Sequence, residues 1–478
     1  MNTLKQQRII YLPEFKYIDS EVTLQPTKET SQKVNVENNN VYYITDNNFN
    51  SGEGDQFYHF PVILNKDGCM WYEANHFLLK ISLNNHFNYS PQKIARLASR
   101  LLDYKIWSED NYIDIYDFSA LRAKNRPTYR YFQYLMEQGL SAGNINQRTS
   151  LIYKFTHENH SKYNIDINRI DQVTDAFIKF KNQFGQSFAQ KIKTRKLTKR
   201  ITKRSRPNTK VLDDGESLRP LSNDEQKELI TALNNPRYSV DERLIFQLGL
   251  DTGARKQTIL TLRLKHVKGF NQDKLSSDGY FKINVGFGTD IDTKFDKQIT
   301  LHISESLAEK LKIYAFSQSA VKRRLKFLKK SGDLFNNEDD VYFFLGERGD
   351  CRYMAKNDPR FDKTKNPPSG TSIQTIINRL YKYDLSNNFP IDYKFHWNRA
   401  SYAFNYYQYL QPLVDNKKMS YRDQIYCIQN ALGHSNPETT ENYIRYFIGN
   451  HKLLEMQSKW EDRFFTLSTF DRLLKEVA

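Results

Sequence analysis

The sequence predicts a mainly α-helical protein that carries a small antiparallel β-sheet in its C-terminal half. Between residues 70 and 187, apolar residues recur at intervals of three and four, which is typical of amphipathic helices. A second structured region begins near Ser222, which forms a capping-box pattern with Glu225 at a helix start. Within that region, residues 281–285 and 299–303 alternate with period two and predict a hairpin.

The first 65 residues are polar and asparagine-rich, with short aromatic groups such as that at 41–44. Residues 47–52 have a composition typical of loops. Two interpretations stay open for this segment: a small β-rich module or a poorly ordered arm. We predict a boundary at residue 65 and assign no role to residues 1–65.

Residues 66–187 predict a helical domain of about four helices. Its clearest helices begin at Pro91 and Thr128, and the second of these is rich in aromatic residues. Ser141 fits a helix N-cap before residues 146–153. The tyrosines and arginines of this region suit an ordinary core and surface, and a basic face for a polyanion is a second interpretation.

The charge of the chain favours a polyanionic partner. Its 478 residues suggest two to four domains, and its net charge is +16. Residues 191–210 hold ten lysines or arginines and no acidic residue, within a predicted basic linker at 188–220. This stretch is either a solvated charge run or a phosphate-binding linker, and we favour the second. The candidate phosphate contacts are Lys191, Lys193, Arg195, Lys196, Lys199, Arg200, Lys203, Arg204 and Arg206.

Membrane, disulfide and zinc interpretations are weaker. No apolar run approaches the ~20 residues of a spanning helix, and the N-terminus lacks the apolar region of a signal peptide. The three cysteines, Cys69, Cys351 and Cys427, are far apart and odd in number. They argue against a disulfide framework and a zinc site, so we expect a reduced cytoplasm and no metal.

Four basic residues in the C-terminal half are candidates for binding a phosphate. Arg255 follows a Thr-Gly pair that should end one helix and start another, where an anion binds favourably. His396 and Arg399 are three residues apart and share a helix face, and a guanidinium binds two phosphate oxygens at once. Lys294 lies on the connection of the predicted hairpin, where Lys297 is a competing candidate. Each residue alone also fits an ordinary surface position.

Tyr443 is the candidate nucleophile. It follows His434 by nine residues, in a segment that contains a Gly-His turn and a pair of threonines. A tyrosine has a pKa of about 10 and needs a neighbouring base or cation to attack at neutral pH. His434 and the two arginines would supply that help. The alternative is that Tyr443, one of 31 tyrosines, is an ordinary core residue.

The order of these segments resembles that of the tyrosine recombinases, the phage integrase-like family. Leu432-Gly433-His434 through Tyr443 is similar to the family's terminal motif, and the segments around Arg255, Lys294 and Arg399 resemble its other conserved boxes. The resemblance covers about 221–447. Three features depart from the family. Thr258 stands where the family often has an acidic residue, and Ala400 stands where it often has a histidine. The spacing from Arg255 to Lys294 is longer than in compact members.

The resemblance implies a two-lobed DNA clamp, with a core-binding domain at 66–187 and a catalytic domain at 221–478. It implies that Arg255 and Arg399 clamp the scissile phosphate while Tyr443 attacks it, giving a 3′-phosphotyrosyl intermediate. Lys294 would protonate the leaving oxygen, and the catalytic set would be Tyr443, Arg255, Lys294, His396, Arg399 and His434. No cofactor is implied, because the phosphotyrosyl bond conserves the energy of the broken linkage.

The implied partner is double-stranded DNA, on which the protein would form a tetramer through its C-terminal tail, in the cytoplasm at the nucleoid. The implied role is integration or recombination of a mobile genetic element. Two alternatives stay open. A topoisomerase IB-like or telomere-resolvase-like enzyme would use the same chemistry, and a non-catalytic DNA-binding protein would share the fold.

Overall fold

The computed structural model divides into two compact units, Met1–Lys203 with Asp362–Asn366, and Arg204–Phe361 with Pro367–Ala478. The described part of the chain is mainly α-helical with small antiparallel sheets, as the sequence predicts. No helix in this part is long and apolar enough to cross a membrane. The structure describes residues 7–17, 22–23, 30–36, 40–45, 54–84, 89–181, 187–200, 212–213, 217–335, 337–434 and 439–443.

The first unit begins with β-structure, so the described part of residues 1–65 follows the β-rich interpretation. Strand β1 (Ile9–Tyr17) pairs antiparallel with strand β5 (Asp55–Ile63), and the three strands between them in the chain form a separate sheet. Phe57, Phe60 and Ile63 of β5 are buried in the same core as the helices that follow. The predicted boundary at residue 65 therefore crosses a shared core. The strands are β1 (Ile9–Tyr17), β2 (Val22–Thr23), β3 (Thr30–Val36), β4 (Asn40–Thr45) and β5 (Asp55–Ile63).

The helices of the first unit form where the apolar periodicity predicts them. Ser90 caps α2 (Pro91–Asp110), and Ser141 caps α4 (Ala142–Glu158). Each serine side chain accepts a hydrogen bond from a backbone N–H of the first turn. The aromatic-rich helix α3 is part of the core, because Tyr131 packs against Tyr104 and Trp107 with ring centroids 4.8 and 5.0 Å away. The helices are α1 (Tyr72–Asn84), α2 (Pro91–Asp110), α3 (Pro127–Glu137), α4 (Ala142–Glu158) and the short α5 (Ile167–Ile170).

The prediction of helix up to residue 187 and of a linker from 188 is wrong. Residues Val173–Lys181 form strand β6, which pairs antiparallel with strand β7, Ser187–Arg195. The physical reason is composition: Val173, Phe177 and Ile192 belong to the β-branched and aromatic types that favour strands. Part of the basic stretch is therefore one strand of a hairpin.

The chain after β7 stays attached to the first unit. Arg195 donates to the backbone oxygen of Thr149 at 3.0 Å, and its guanidinium lies 3.7 Å from the Asp171 carboxylate. Leu197 is buried, and Lys199 exchanges two backbone hydrogen bonds with the side chain of Asn146. Any linker therefore begins after residue 199.

The second unit contains the predicted hairpin and the predicted helix start. Ser222 and Glu225 form the reciprocal capping box at the start of α6. Strands β10 and β11 pair antiparallel, and Phe281, Ile283 and Val285 alternate toward the core. The strands are β8 (Leu212–Asp213), β9 (Ser217–Leu218), β10 (Tyr280–Val285) and β11 (Ile299–Ser304).

The main apolar core of the second unit packs its helices around the β10–β11 hairpin, and a second, smaller core includes Phe327 and Tyr342. The helices are α6 (Asn223–Leu233), α7 (Val240–Thr252), α8 (Lys256–Leu260), α9 (Leu264–Lys268), α10 (Glu305–Phe316), α11 (Gln318–Ser331), α12 (Thr371–Tyr383), α13 (Trp397–Asp415) and α14 (Tyr421–Leu432).

Candidate active site

Arg255 lies where α7 ends and α8 begins. Gly253 ends α7 with φ +63°, a left-handed conformation that favours glycine. A side chain at 253 would also place its Cβ 2.5 Å from the ring of Tyr402 on α13. Thr252 stabilises the turn, because its Oγ1 accepts from the Ala254 N–H at 3.2 Å. Arg255 then occupies the N-cap position of α8, as its sequence context predicts.

Arg399 links two distant parts of the second unit. It lies in the first turn of α13 and is only 3% exposed. One Nη donates to the backbone oxygen of Gly253 at 2.9 Å, and the other donates to the backbone oxygen of Leu432 at the end of α14. One guanidinium therefore brings together the turn before Arg255 and the turn before His434.

His396 precedes Arg399 by one helical turn and is the N-cap residue of α13. Its side chain is half-buried, and its backbone oxygen accepts from the Arg399 N–H at 3.1 Å. The predicted sharing of a helix face by these two residues follows from this position. Ala400, the next residue, is completely buried in the core.

His434 and Tyr443 are neighbours in space. His434 follows the end of α14, where its N–H donates to the backbone oxygen of Gln429 at 3.0 Å. Its Nδ1 lies 3.0 Å from the Oγ1 of Thr440, which orients the imidazole ring. The ring centroids of His434 and Tyr443 are 5.3 Å apart, and Tyr443 is 1% exposed. An imidazole therefore lies beside the candidate nucleophile.

The structure separates the two candidate lysines. Lys297 is half-buried, and desolvation together with the positive charges of Arg255 and Arg399 lowers its pKa. Lys294 is exposed, and its Nζ lies 5.5 Å from the centroid of the Phe295 ring. The lysine in the field of the two arginines is therefore Lys297, the competitor that the sequence left open.

A glycine that the sequence did not single out determines where Lys297 lies. Gly286 has φ +107°, and a Cβ there would lie 2.2 Å from the backbone oxygen of Lys297. Thr293 donates to that same oxygen at 2.6 Å. The backbone of Lys297 is thus held between the end of β10 and Thr293. The close approach is a tertiary contact with no local sequence signal.

A cavity of about 1500 Å³ adjoins these residues. It is larger than the usual ~300–1000 Å³ of a small-molecule pocket, and Lys297, His434, Phe287 and Tyr402 are among its lining residues. A space of this size is large enough for a segment of a polymer, and its lining holds both basic residues and the carboxylates of Asp251 and Asp278.

The predicted phosphate contacts of the basic stretch divide into groups. Lys193, Lys196 and Arg200 are exposed, whereas Lys191 forms an ion pair with Asp175 at 2.9 Å. Arg195 and Lys199 make the anchoring contacts of the first unit described above. Lys203, Arg204 and Arg206 lie outside the described residues.

Comparison with known proteins gives similarities to solved structures only. No protein-family model and no curated protein matches the chain. The chain is similar to an integrase of the transposon Tn1549 in complex with circular intermediate DNA. That match has 14% identity and a TM-score of 0.41, and it covers 77% of this chain and 94% of the other. It is also similar to a lambda integrase dimer bound to a core site, at 13% identity and a TM-score of 0.38, covering 77% of this chain and 94% of the other.

Proposed function

We propose that the chain is a tyrosine recombinase, a site-specific enzyme that cuts and rejoins DNA strands through a 3′-phosphotyrosyl intermediate. The observation that carries this proposal is the buried guanidinium of Arg399. It joins the turn that precedes Arg255 to the turn that precedes His434, beside Tyr443. Lys297 lies in the electrostatic field of the same two arginines. These contacts support a site that combines cations, a proton donor and a phenol.

The proposed reaction uses each of these groups once. The Tyr443 oxygen attacks phosphorus, the bond from phosphorus to the 5′-oxygen breaks, and the phenolic proton passes to His434 or to water. Arg255 and Arg399 stabilise the negative charge that grows on the non-bridging oxygens. Lys297 donates a proton to the departing 5′-oxygen, and His396 binds the phosphate. The reverse reaction with another 5′-hydroxyl rejoins the strand without ATP, because the phosphotyrosyl bond replaces the phosphodiester bond.

The DNA partner is consistent with the charge of the chain. The net charge is +16, and Lys193, Lys196 and Arg200 are exposed in the basic stretch. Assembly of a tetramer on two duplexes, a cytoplasmic location and service to a mobile element are further parts of the proposal, based on the resemblance of the motifs.

Covalent capture tests the proposed function. The protein is incubated with random-sequence duplexes that carry a nick, so that the fragment released by cleavage diffuses away and the intermediate accumulates. We expect the peptide that contains Tyr443 to carry DNA through a 3′-phosphate, and sequencing of that DNA identifies the site. An adduct on another residue would contradict the proposed nucleophile, and binding without any adduct would favour the non-catalytic alternative.

Strand exchange distinguishes the recombinase from enzymes that share its chemistry. Two duplexes that contain the captured site are mixed, and recombinant products are measured. A recombinase yields strands joined between the two duplexes. Relaxation of supercoiled plasmid without exchange favours the topoisomerase alternative, and closed hairpin ends favour the telomere resolvase.

We predict that Lys297→Ala slows cleavage by about 100- to 1000-fold, within the usual range for loss of a general acid. Lys294→Ala is the matched control: it is expected to weaken binding of the duplex, but at saturating protein it should cleave at close to the wild-type rate, because Lys294 is exposed beside Phe295. The measurement is single-turnover cleavage of a nicked duplex. A second substrate with sulfur in place of the bridging 5′-oxygen should restore the Lys297→Ala rate, since a thiolate leaves without a proton. Equal loss in both lysine variants, or no rescue by sulfur, would contradict the assignment.

We predict that Gly286→Ala slows cleavage about tenfold or more, because its Cβ would displace the backbone of Lys297. Gly288→Ala is the control: its φ is +81°, and a Cβ at this position would meet no other atom within 4 Å. Both variants carry the backbone cost of alanine at positive φ, so thermal unfolding measures that shared cost. Equal rates in the two variants would show that the contact with Lys297 has no role in cleavage.

A further inference from the structure

We propose that Phe295, supported by Phe287, is a wedge that inserts between base pairs of duplex DNA next to the scissile phosphate. The inference rests on the proposed function and adds a direct contact with the bases. Both rings lie on the connection between β10 and β11, the segment that also carries Lys294 and ends at Lys297. The proposed occupant is duplex DNA, recognised through stacked bases flanked by phosphates.

The two rings are exposed to an unusual degree for phenylalanine. Phe295 is 88% exposed and Phe287 is 73% exposed. Phenylalanine is among the residues most often buried in folded proteins, because contact of its ring with water is unfavourable. Two exposed rings on one connection are apolar surface that is stabilised when a partner covers it.

The backbone of Phe295 is strained. Its φ and ψ are +64° and +25°, and the next residue, Asp296, has φ +54°. A bulky side chain is rarely found in this left-handed region. Such strain persists only where surrounding contacts impose it, and it is common at ligand-binding sites.

The contacts that impose this conformation are made by Asp296, the residue after Phe295. Both carboxylate oxygens of Asp296 bind the Nζ of Lys356 at 2.9 Å. The Asp296 backbone N–H donates to the backbone oxygen of Thr293, and the Asp296 backbone oxygen accepts from the Phe287 N–H, each at 3.2 Å. The segment is therefore preorganised, with the Phe295 ring presented to solvent rather than folded onto the core.

The charges around the rings point to a nucleic acid as the partner. The Nζ of Lys294 lies 5.5 Å from the centroid of the Phe295 ring, and Lys297 is two residues further on. Phe287 lines the same cavity as Lys297 and His434. In a duplex the phosphates lie on the outside, where lysines can bind them, and the base pairs lie inside, where aromatic rings can stack on them. Apolar wedges such as phenylalanine unstack and kink base steps in proteins that bind DNA in this way.

The wedge predicts a specific set of results on the captured cleavage site. Duplexes carry the fluorescent base 2-aminopurine at each step that flanks the scissile phosphate, and we expect wild-type protein to raise the emission at one step by unstacking it. Phe295→Ala should abolish that rise and weaken binding by about 5- to 150-fold, the range for loss of one stacked base. Phe295→Trp should retain the rise, and DNA should quench the tryptophan emission.

Two controls separate the ring from the strain and from general loss of apolar surface. Phe295→Gly removes the ring and relieves the left-handed strain, so it should unfold at or above the wild-type temperature while losing the fluorescence rise as the alanine variant does. Phe316→Ala removes a 65% exposed ring at the end of α10 and should leave the rise unchanged.

Several outcomes would overturn the wedge while leaving the proposed function intact. The wild type could form the Tyr443 adduct with no change of 2-aminopurine emission, or Phe295→Gly could behave as wild type in emission and affinity. In a third outcome, Phe295→Ala keeps the emission rise but its protomers assemble less well, which would assign the ring to a protein contact. Absence of any adduct in the wild type would instead reject the proposed function and, with it, the wedge.

Discussion

Tyr443→Phe should bind DNA as wild type does and yet form no covalent adduct, with cleavage lowered by more than about 1000-fold, as is usual for loss of a catalytic nucleophile. The substitution removes only the phenolic oxygen. The ring, which is buried and lies 5.3 Å from the ring of His434 by centroid distance, is retained. Folding should therefore be preserved, which thermal unfolding of the variant measures.

Tyr402→Phe is the matched control for this prediction. Tyr402 belongs to the same unit, lines the cavity and contacts the turn at Gly253. Tyr402 is not a member of the proposed catalytic set, so its phenolic oxygen should be dispensable for cleavage. We expect near-normal adduct formation in this control. Cleavage by Tyr443→Phe at the wild-type rate would reject the enzymatic assignment of Tyr443.

The sequence predicted those parts of the site that are encoded locally. The helix break at Gly253, the capping box at Ser222 and the alternation of β10 and β11 each depend on neighbours in the chain, and each is present. The place of Arg255 at the break followed from the same local signals.

Features that depend on tertiary packing were not predictable in this way. Gly286 and Gly288 look alike in the sequence, and only the approach of the Lys297 backbone distinguishes them. The preference for Lys297 over Lys294 depends on the path of the connection, which turns through left-handed residues before it enters the field of the arginines. The prediction missed the β6–β7 hairpin for a different reason. Over so short a run, its apolar and aromatic residues fit the helical period and the strand period equally well.

Arg399→Lys should lower both cleavage and stability, whereas Arg255→Lys should lower mainly cleavage. An ammonium cannot reproduce the fork of a guanidinium, so the lysine variant loses at least one of the bonds to the carbonyls of Gly253 and Leu432. A buried carbonyl without its partner costs about 1–3 kcal/mol. We expect the unfolding temperature to fall by about 2–10 °C and cleavage by about 100- to 1000-fold.

Arg255→Lys tests whether the two effects separate. Whereas Arg399 is only 3% exposed, Arg255 is half-buried at a helix N-cap position. Its replacement should lower cleavage to a similar extent and change the unfolding temperature by only a degree or two. Thermal unfolding and single-turnover cleavage, measured on the same preparations, provide the comparison.

The combination of results decides what Arg399 does. If it both holds the site together and binds phosphate, its lysine variant is deficient even at temperatures where the protein is fully folded. If it only connects α7 to α14, lowering the temperature or adding a stabilising osmolyte should restore cleavage in Arg399→Lys while Arg255→Lys stays slow. A cleavage defect with an unchanged unfolding temperature would instead show that the bonds to Gly253 and Leu432 contribute little, and that the buried guanidinium acts on the phosphate alone.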